Sequence, residues 1–117
     1  MLRFWKATIN TRNGLAFAFR SEQAFREEIA ALVLSLPLAW LIGATTMRRL
    51  ELIAAVVSVL VVELLNTAIE KLADRLTTER DPQIGQVKDM GSAAVGVALV
   101  MAGLFWLFAI AERIGAV

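Results

Sequence analysis

The 117-residue chain contains no cysteine and no histidine. The first absence excludes disulfides and cysteine-ligated metals. The second removes the commonest general base and the commonest zinc ligand, so any acid–base chemistry falls to Glu, Asp or Lys. An excess of one charge is lacking too: 12 Lys and Arg stand against 11 Asp and Glu, a net charge of +1, and no bulk basicity argues for nucleic acid as a partner. Neither G-x-x-x-x-G-K-[ST] nor G-x-G-x-x-G occurs, so no familiar phosphate-cradling loop is present. Residues 1–28 have no uninterrupted apolar run, because Arg3, Lys6, Arg12, Arg20 and Arg26 break them up. They are not expected to be a cleaved signal peptide, and the chain reads as mature.

What is abundant is apolar sequence. The hydrophobic fraction is 58% and the mean hydropathy +0.66, above ordinary soluble usage. The excess falls in three blocks, which is the pattern of a membrane protein. Its length makes one domain, 1–117, the expectation. Residues 1–27 mix aromatic and basic residues as an amphipathic surface helix does, with Asn13-Gly14 expected to break it in two and Ser21 expected to cap the next helix. Residues 28–47 form the first expected span. Its uncharged part, Ile29 to Met47, rises about 28 Å, near the hydrocarbon thickness. Pro37 is tolerable there as a kink. A short polar turn leads into the second span, 50–76. Residues 77–90 are the longest polar connection, with Asp81-Pro82 and Gly85 marking a turn. The third span is 91–111, where Ser92, Gly96 and Gly103 suit close helix packing. The expected fold is an all-α membrane protein: an N-terminal amphipathic surface helix plus three transmembrane helices.

Three spans put the two termini on opposite sides. Nine of the basic residues (Arg3, Lys6, Arg12, Arg20, Arg26, Lys71, Arg75, Arg80, Lys88) fall on one side and three (Arg48, Arg49, Arg113) on the other. That asymmetry places the N-terminus and the connection 77–90 in the cytoplasm.

The second apolar block carries Glu63, Asn66, Glu70 and Asp74 at steps of three and four, one stripe of a helix. A carboxylate in hydrocarbon costs several kcal/mol unless paired, hydrated or in use, roughly +2.5–3.5 at a helix centre. Glu70 at the interface, with a second carboxylate such as Glu22 beside it, has the hard oxygen donors that Mg²⁺ takes when substrate phosphates complete its shell. Lys88 and Asp89 lie at the mouth of the third span on the same side, a pairing common in phosphoryl transfer. Glu63 lies deeper, where it can take a proton from a membrane-borne hydroxyl, and Asn66 can orient it. The spacing is equally compatible with blander roles. Glu63 and Asn66 can serve as polar glue between helices, and Lys88-Asp89 alone can be a solvated helix start. A small proton-coupled transporter using Glu63, or a structural subunit of a larger complex, are the other readings of the stripe.

Three motifs carry a family resemblance over nearly the whole chain. The run Glu63 to Arg75 resembles the E-x-x-N-[ST]-A-I-E-x-x-x-D signature of bacterial integral-membrane diacylglycerol kinases. Lys88 to Val95 is similar to that family's K-D-x-[AG]-[SA]-[AG]-A-V stretch, and Glu22-x-Ala24-Phe25-Arg26-x-Glu28 to its E-x-A-F-R-x-E. The resemblance implies a homotrimer in the bacterial inner membrane, with active sites shared between subunits. It implies transfer of the γ-phosphate of ATP to the hydroxyl of diacylglycerol, giving phosphatidic acid, with Mg²⁺ as cofactor and a part in phospholipid recycling. By motif, Glu63 becomes the base and Glu22 and Glu70 the Mg²⁺ ligands. Glu22, Glu70, Glu79, Arg80, Asp81, Lys88 and Asp89 become nucleotide contacts, with Arg3 and Asn10 added by position. Ala24, Phe25, Arg26, Glu28, Asn66, Asp74 and Ser92 would support the site or contact lipid. The connection Thr77 to Val87 departs most from the family pattern. A relative within the family phosphorylates undecaprenol; Met90-Gly91-Ser92 looks more like the Gram-negative diacylglycerol enzymes.

Overall fold

Three short breaks divide the chain into four helices: α1 (Leu2–Ser21), α2 (Gln23–Ile42), α3 (Thr46–Leu76) and α4 (Pro82–Arg113). The computed structural model describes all 117 residues. The first break is a single extended residue, Glu22, at φ −117 and ψ 110. The second is Gly43–Thr45, closed by the Thr45 hydroxyl, which accepts from the Arg48 N–H at 3.0 Å and so caps α3. The third ends on Asp81. Its Oδ1 accepts from the N–H groups of Gln83 and Ile84, at 2.9 and 3.2 Å, and Pro82 fills the first helical position, where a missing N–H costs nothing.

Several helix limits differ from the sequence expectations. Helix α1 runs unbroken through Asn13-Gly14, because a helical glycine costs only about 1 kcal/mol and nothing crowds Gly14. Ser21 does not cap α2. It is the last residue of α1, and its hydroxyl donates back to the Phe17 carbonyl at 2.8 Å. Helix α2 stops at Ile42, short of Met47, so its uncharged part from Ile29 rises about 21 Å. Helix α3 starts at Thr46, before the expected 50. Asp81-Pro82 opens α4, so Gly85 is helical and the connection shrinks to 77–81. The sequence signals there were turn signals, but Asp followed by Pro is also the preferred opening of a helix.

Helices α3 and α4 are antiparallel and pack most extensively; α2 lies antiparallel against α3. Polar contacts join α3 to α4 at both ends. At one end the Arg48 guanidinium donates to both Glu112 oxygens, at 3.0 and 3.2 Å, and to Glu51 at 2.6 Å, and it lies 4.8 Å from the Phe108 ring centroid. At the other end Lys88 pairs with Asp74 at 2.5 Å. Between them the small residues Ala39 and Ala109 close around Leu52, all three fully buried, and the Trp106 N–H donates to the Leu52 carbonyl at 3.2 Å. Gly43 permits the tight α2–α3 corner: a Cβ there would stand 2.5 Å from the Arg49 Cγ.

Only 10 of 117 residues are buried, and leucines, valines and phenylalanines cover the outside of α2, α3 and α4. Water does not favour such a surface. Helices α3 and α4 are both long and apolar enough to cross a membrane, and their apolar windows are only 11% and 6% buried within the chain. A core helix of a soluble protein would bury far more. The chain is an all-helical membrane-type protein.

Candidate functional site

The expected polar stripe exists as one face of α3, and the ends of the other helices converge on it. Asn66 is 6% exposed. Its Nδ2 donates to Glu70 Oε1 at 3.2 Å, one turn on, which fixes that carboxylate. Its Oδ1 has no partner. Gly91 of α4 packs directly on it, and a Cβ at Gly91 would collide with Asn66 Oδ1. A glycine is therefore required for the close approach unless the amide turns away.

One turn further, Asp74 holds Lys88, so the Lys88–Val95 motif is brought to the Glu63–Arg75 motif. Residue 71, beside Glu70, holds Glu22: Lys71 Nζ lies 2.6 Å from Glu22 Oε1 and 5.5 Å from the Phe17 ring centroid. This brings the α1–α2 joint to the face of α3 beside the stripe. Glu22 occupies the N-cap position of α2, yet its side chain makes no capping bond. A groove of about 290 Å³ runs between α1 and α3 beneath this pair, floored by Phe17, Ala18, Leu64 and Ala68.

Glu63 is half-buried, two turns before Glu70, or about 10 Å deeper along the axis. Glu28 of α2 lies near enough for its charge and that of Glu63 to bear on one another, and Glu28 Oε2 is buried without a hydrogen-bond partner. Phe25 is buried at 5% and anchors the first turn of α2. Arg26 reaches back to cap the last turn of α1, donating to the carbonyls of Phe19 and Arg20 at 2.8 and 3.2 Å.

The other expected residues stay apart within one chain. Arg3 and Asn10 are exposed on the early turns of α1 and form no ion pair. Glu79 and Arg80 are exposed in the connection, and Asp81 spends one oxygen on capping α4. Ala24, Asp89 and Ser92 are exposed on their helices. No motif gives Lys71 a role. Its position beside Glu70 was visible, but its ion pair depends on the turn at Glu22.

The donor set can be tested against a hard divalent cation. No three acidic residues gather within the chain, so one copy by itself does not form an all-protein cage. Glu70 has one oxygen committed to Asn66 and Glu22 one to Lys71, leaving one free carboxylate oxygen on each. Few carboxylates, with water and phosphate completing the shell, suit Mg²⁺.

Sequence comparison shows which family the chain resembles. The family model for prokaryotic diacylglycerol kinase matches residues 10–110. A diacylglycerol kinase of Haemophilus influenzae is 41% identical over 93 residues, 80% of this chain and 79% of that one. That of Escherichia coli K12 is 37% identical over 113 residues, 97% and 93% of the two chains. That of Pseudomonas aeruginosa is 41% identical over 104 residues, 89% and 85%.

Proposed function

The chain belongs to the prokaryotic diacylglycerol kinase family, and from that membership we propose that it phosphorylates the free hydroxyl of diacylglycerol with ATP, giving phosphatidic acid. The observation that carries the reading to particular residues is the α3 stripe. Glu63 and Glu70 lie two turns apart on one helix, with the buried Asn66 between them fixing Glu70. One end of that stripe is charged and the other apolar, so a water-borne and a lipid-borne substrate can meet along it.

In this mechanism the Glu63 carboxylate takes the proton of the lipid hydroxyl. The hydroxyl oxygen attacks the γ-phosphorus, the bond from phosphorus to the β–γ bridging oxygen breaks, and ADP leaves. Glu22 and Glu70 would hold Mg²⁺, which when bound offsets the charge of the phosphate oxygens. Lys88 leaves Asp74 to meet phosphate, and Asp89, Glu79, Arg80 and the free oxygen of Asp81 face the nucleotide. Glu28, Asn66, Asp74, Ser92 and the Ala24–Arg26 turn support the site or the lipid. Arg3 and Asn10 join the nucleotide only if α1 of one copy approaches the site of another.

Three spans, with α2 as the shortest, and a cytoplasmic N-terminus are supported by the apolar run Ile29–Ile42 and the nine-to-three split of basic residues, and a bacterial inner membrane by the family membership. A shared-site homotrimer accounts for the incomplete acid set and the unpartnered Glu28 and Asn66 oxygens. It also gives a use to the small-residue groove of about 330 Å³ along Ala54, Ala55, Ser58, Ala98 and Ala102. The test is purified protein in detergent with radiolabelled ATP and Mg²⁺, offered diacylglycerol and undecaprenol side by side. Labelled phosphatidic acid is expected. No transfer to either lipid would overturn the reading.

A further inference from the structure

We propose that Lys71 is a positioning residue that competes with the divalent cation for Glu22. Its ammonium holds one oxygen of the Glu22 carboxylate in the metal-free protein, and repulsion drives it off when a cation binds at the other. The inference rests on the assignment of Glu22 as a metal ligand.

Three observations combine. Lys71 Nζ lies 2.6 Å from Glu22 Oε1, a full ion pair. Glu22 has no other duty at the α1–α2 joint, since its side chain makes no capping bond there. Lys71 precedes no second acid that holds it: Glu70 is tied to Asn66, and Asp74 to Lys88. A cation bound between Glu22 and Glu70 would therefore stand beside the ammonium, and like charges at that range repel. The Phe17 ring, with its centroid already 5.5 Å from Nζ, offers the released ammonium a favourable face. The Lys71 side chain is 49% exposed, so it has room to turn.

Releasing Glu22 has a structural consequence. The Lys71–Glu22 pair is the only ion pair that ties the α1–α2 joint to α3. Metal binding substitutes one bridge for another, so α1 stays seated in both states but on different contacts. Without Lys71, no charged bridge ties the joint to α3 until the cation arrives.

The probe is Mn²⁺ alone, without nucleotide, titrated into the full-length protein in micelles and followed by the paramagnetic resonance of the free ion. Lys71→Met is expected to tighten Mn²⁺ binding about two- to five-fold, the range an exposed ion pair commands. Lys71→Arg, which keeps the charge, is expected to match the unmodified protein. Hydrogen exchange over residues 1–21 is expected to speed up in metal-free Lys71→Met and to return to normal with Mn²⁺. Glu22→Gln is the control. If it leaves Mn²⁺ binding untouched, Glu22 is not a ligand, and the metal assignment fails together with this inference. If binding depends on Glu22 but Lys71→Met leaves it unchanged or weaker, the competition is refuted while the metal assignment stands. A loss of binding shared by Lys71→Met and Lys71→Arg would make Lys71 a merely structural residue and would also refute it.

Discussion

Replacing Leu52 by Ala tests both the packing of the bundle and the solvent around it. Leu52 is fully enclosed, against Ala39 of α2, Ala109 of α4 and the Trp106 ring. The fully buried residues that enclose it are two alanines, one on α2 and one on α4, with little side chain to fill a void, and ion pairs hold α3 to α4 at both ends. In water-soluble proteins a buried Leu→Ala change costs about 2.7–5.0 kcal/mol, a transfer part plus a cavity part. Three carbons at about 0.8 kcal/mol each make the transfer part roughly 2.4 kcal/mol. A helix that separates from its neighbours inside lipid or detergent keeps that part, since acyl chains are as apolar as leucine. What remains is the cavity part, about 0.3–2.6 kcal/mol. The expected loss is near the middle of that range, close to tenfold in the ratio of folded to unfolded protein. The assay is reversible unfolding in mixed micelles with increasing dodecyl sulfate, followed by tryptophan fluorescence, because Trp106 lies on the mutated site. A loss above about 3 kcal/mol would mean that the separated helices meet water, and the membrane reading would fail. No loss would mean that Leu52 is not packed as described. Eleven residues separate Leu52 from Glu63, so the turnover of the folded fraction is expected to stay normal.

Glu63→Gln keeps the shape and removes the proton acceptor; turnover is expected to fall by at least about 10²-fold with unchanged unfolding, and wild-type turnover would refute the base assignment. Gly91→Val sets a branched side chain against Asn66, and is expected to lower turnover by freeing Glu70; coupling with Asn66→Ala checks this, because the double variant should lose little more than Asn66→Ala alone. Arg48 holds the Glu112 carboxyl below its ordinary 4.5, first through its hydrogen bond. A lowered folded value means stability that is present above about pH 4.5 and lost as pH falls through the folded value, so the unfolding midpoint should drop with acid below pH 4.5 more steeply than in Glu112→Gln.

The parts of the fold that announced themselves in the sequence are those set by local pattern. The three apolar blocks became α2, α3 and α4, and steps of three and four put Glu63, Asn66, Glu70 and Asp74 on one face because an α-helix repeats every 3.6 residues. Helix limits were less legible. Asn13-Gly14 reads as a break, yet its small local cost is outweighed by a helix continuing on both sides. Asp81-Pro82 reads as a turn or as a helix opening, and only the chain beyond it decides. The partners of the stripe were illegible for a different reason. Lys71 meets Glu22 and Gly91 meets Asn66 across 49 and 25 residues of sequence, through turns whose angles no periodicity encodes.

The polar contacts at the two ends of α3 and α4 have a geometric consequence. Two antiparallel rods joined at one point can still swivel and slide; joined at two, they are keyed. From Arg48 to Asp74 along α3 is 26 residues, about 39 Å, and from Lys88 to Glu112 along α4 is 24, about 36 Å. The two lengths agree to within a side chain's reach. One residue added between the keys on either rod would shift the far key by about 1.5 Å and turn it by roughly 100°, and both could not engage at once. The connection 77–81 lies outside the keyed interval and can lengthen at little cost. Length is therefore fixed along the two keyed helices, stripe included, and free in the connection that joins them.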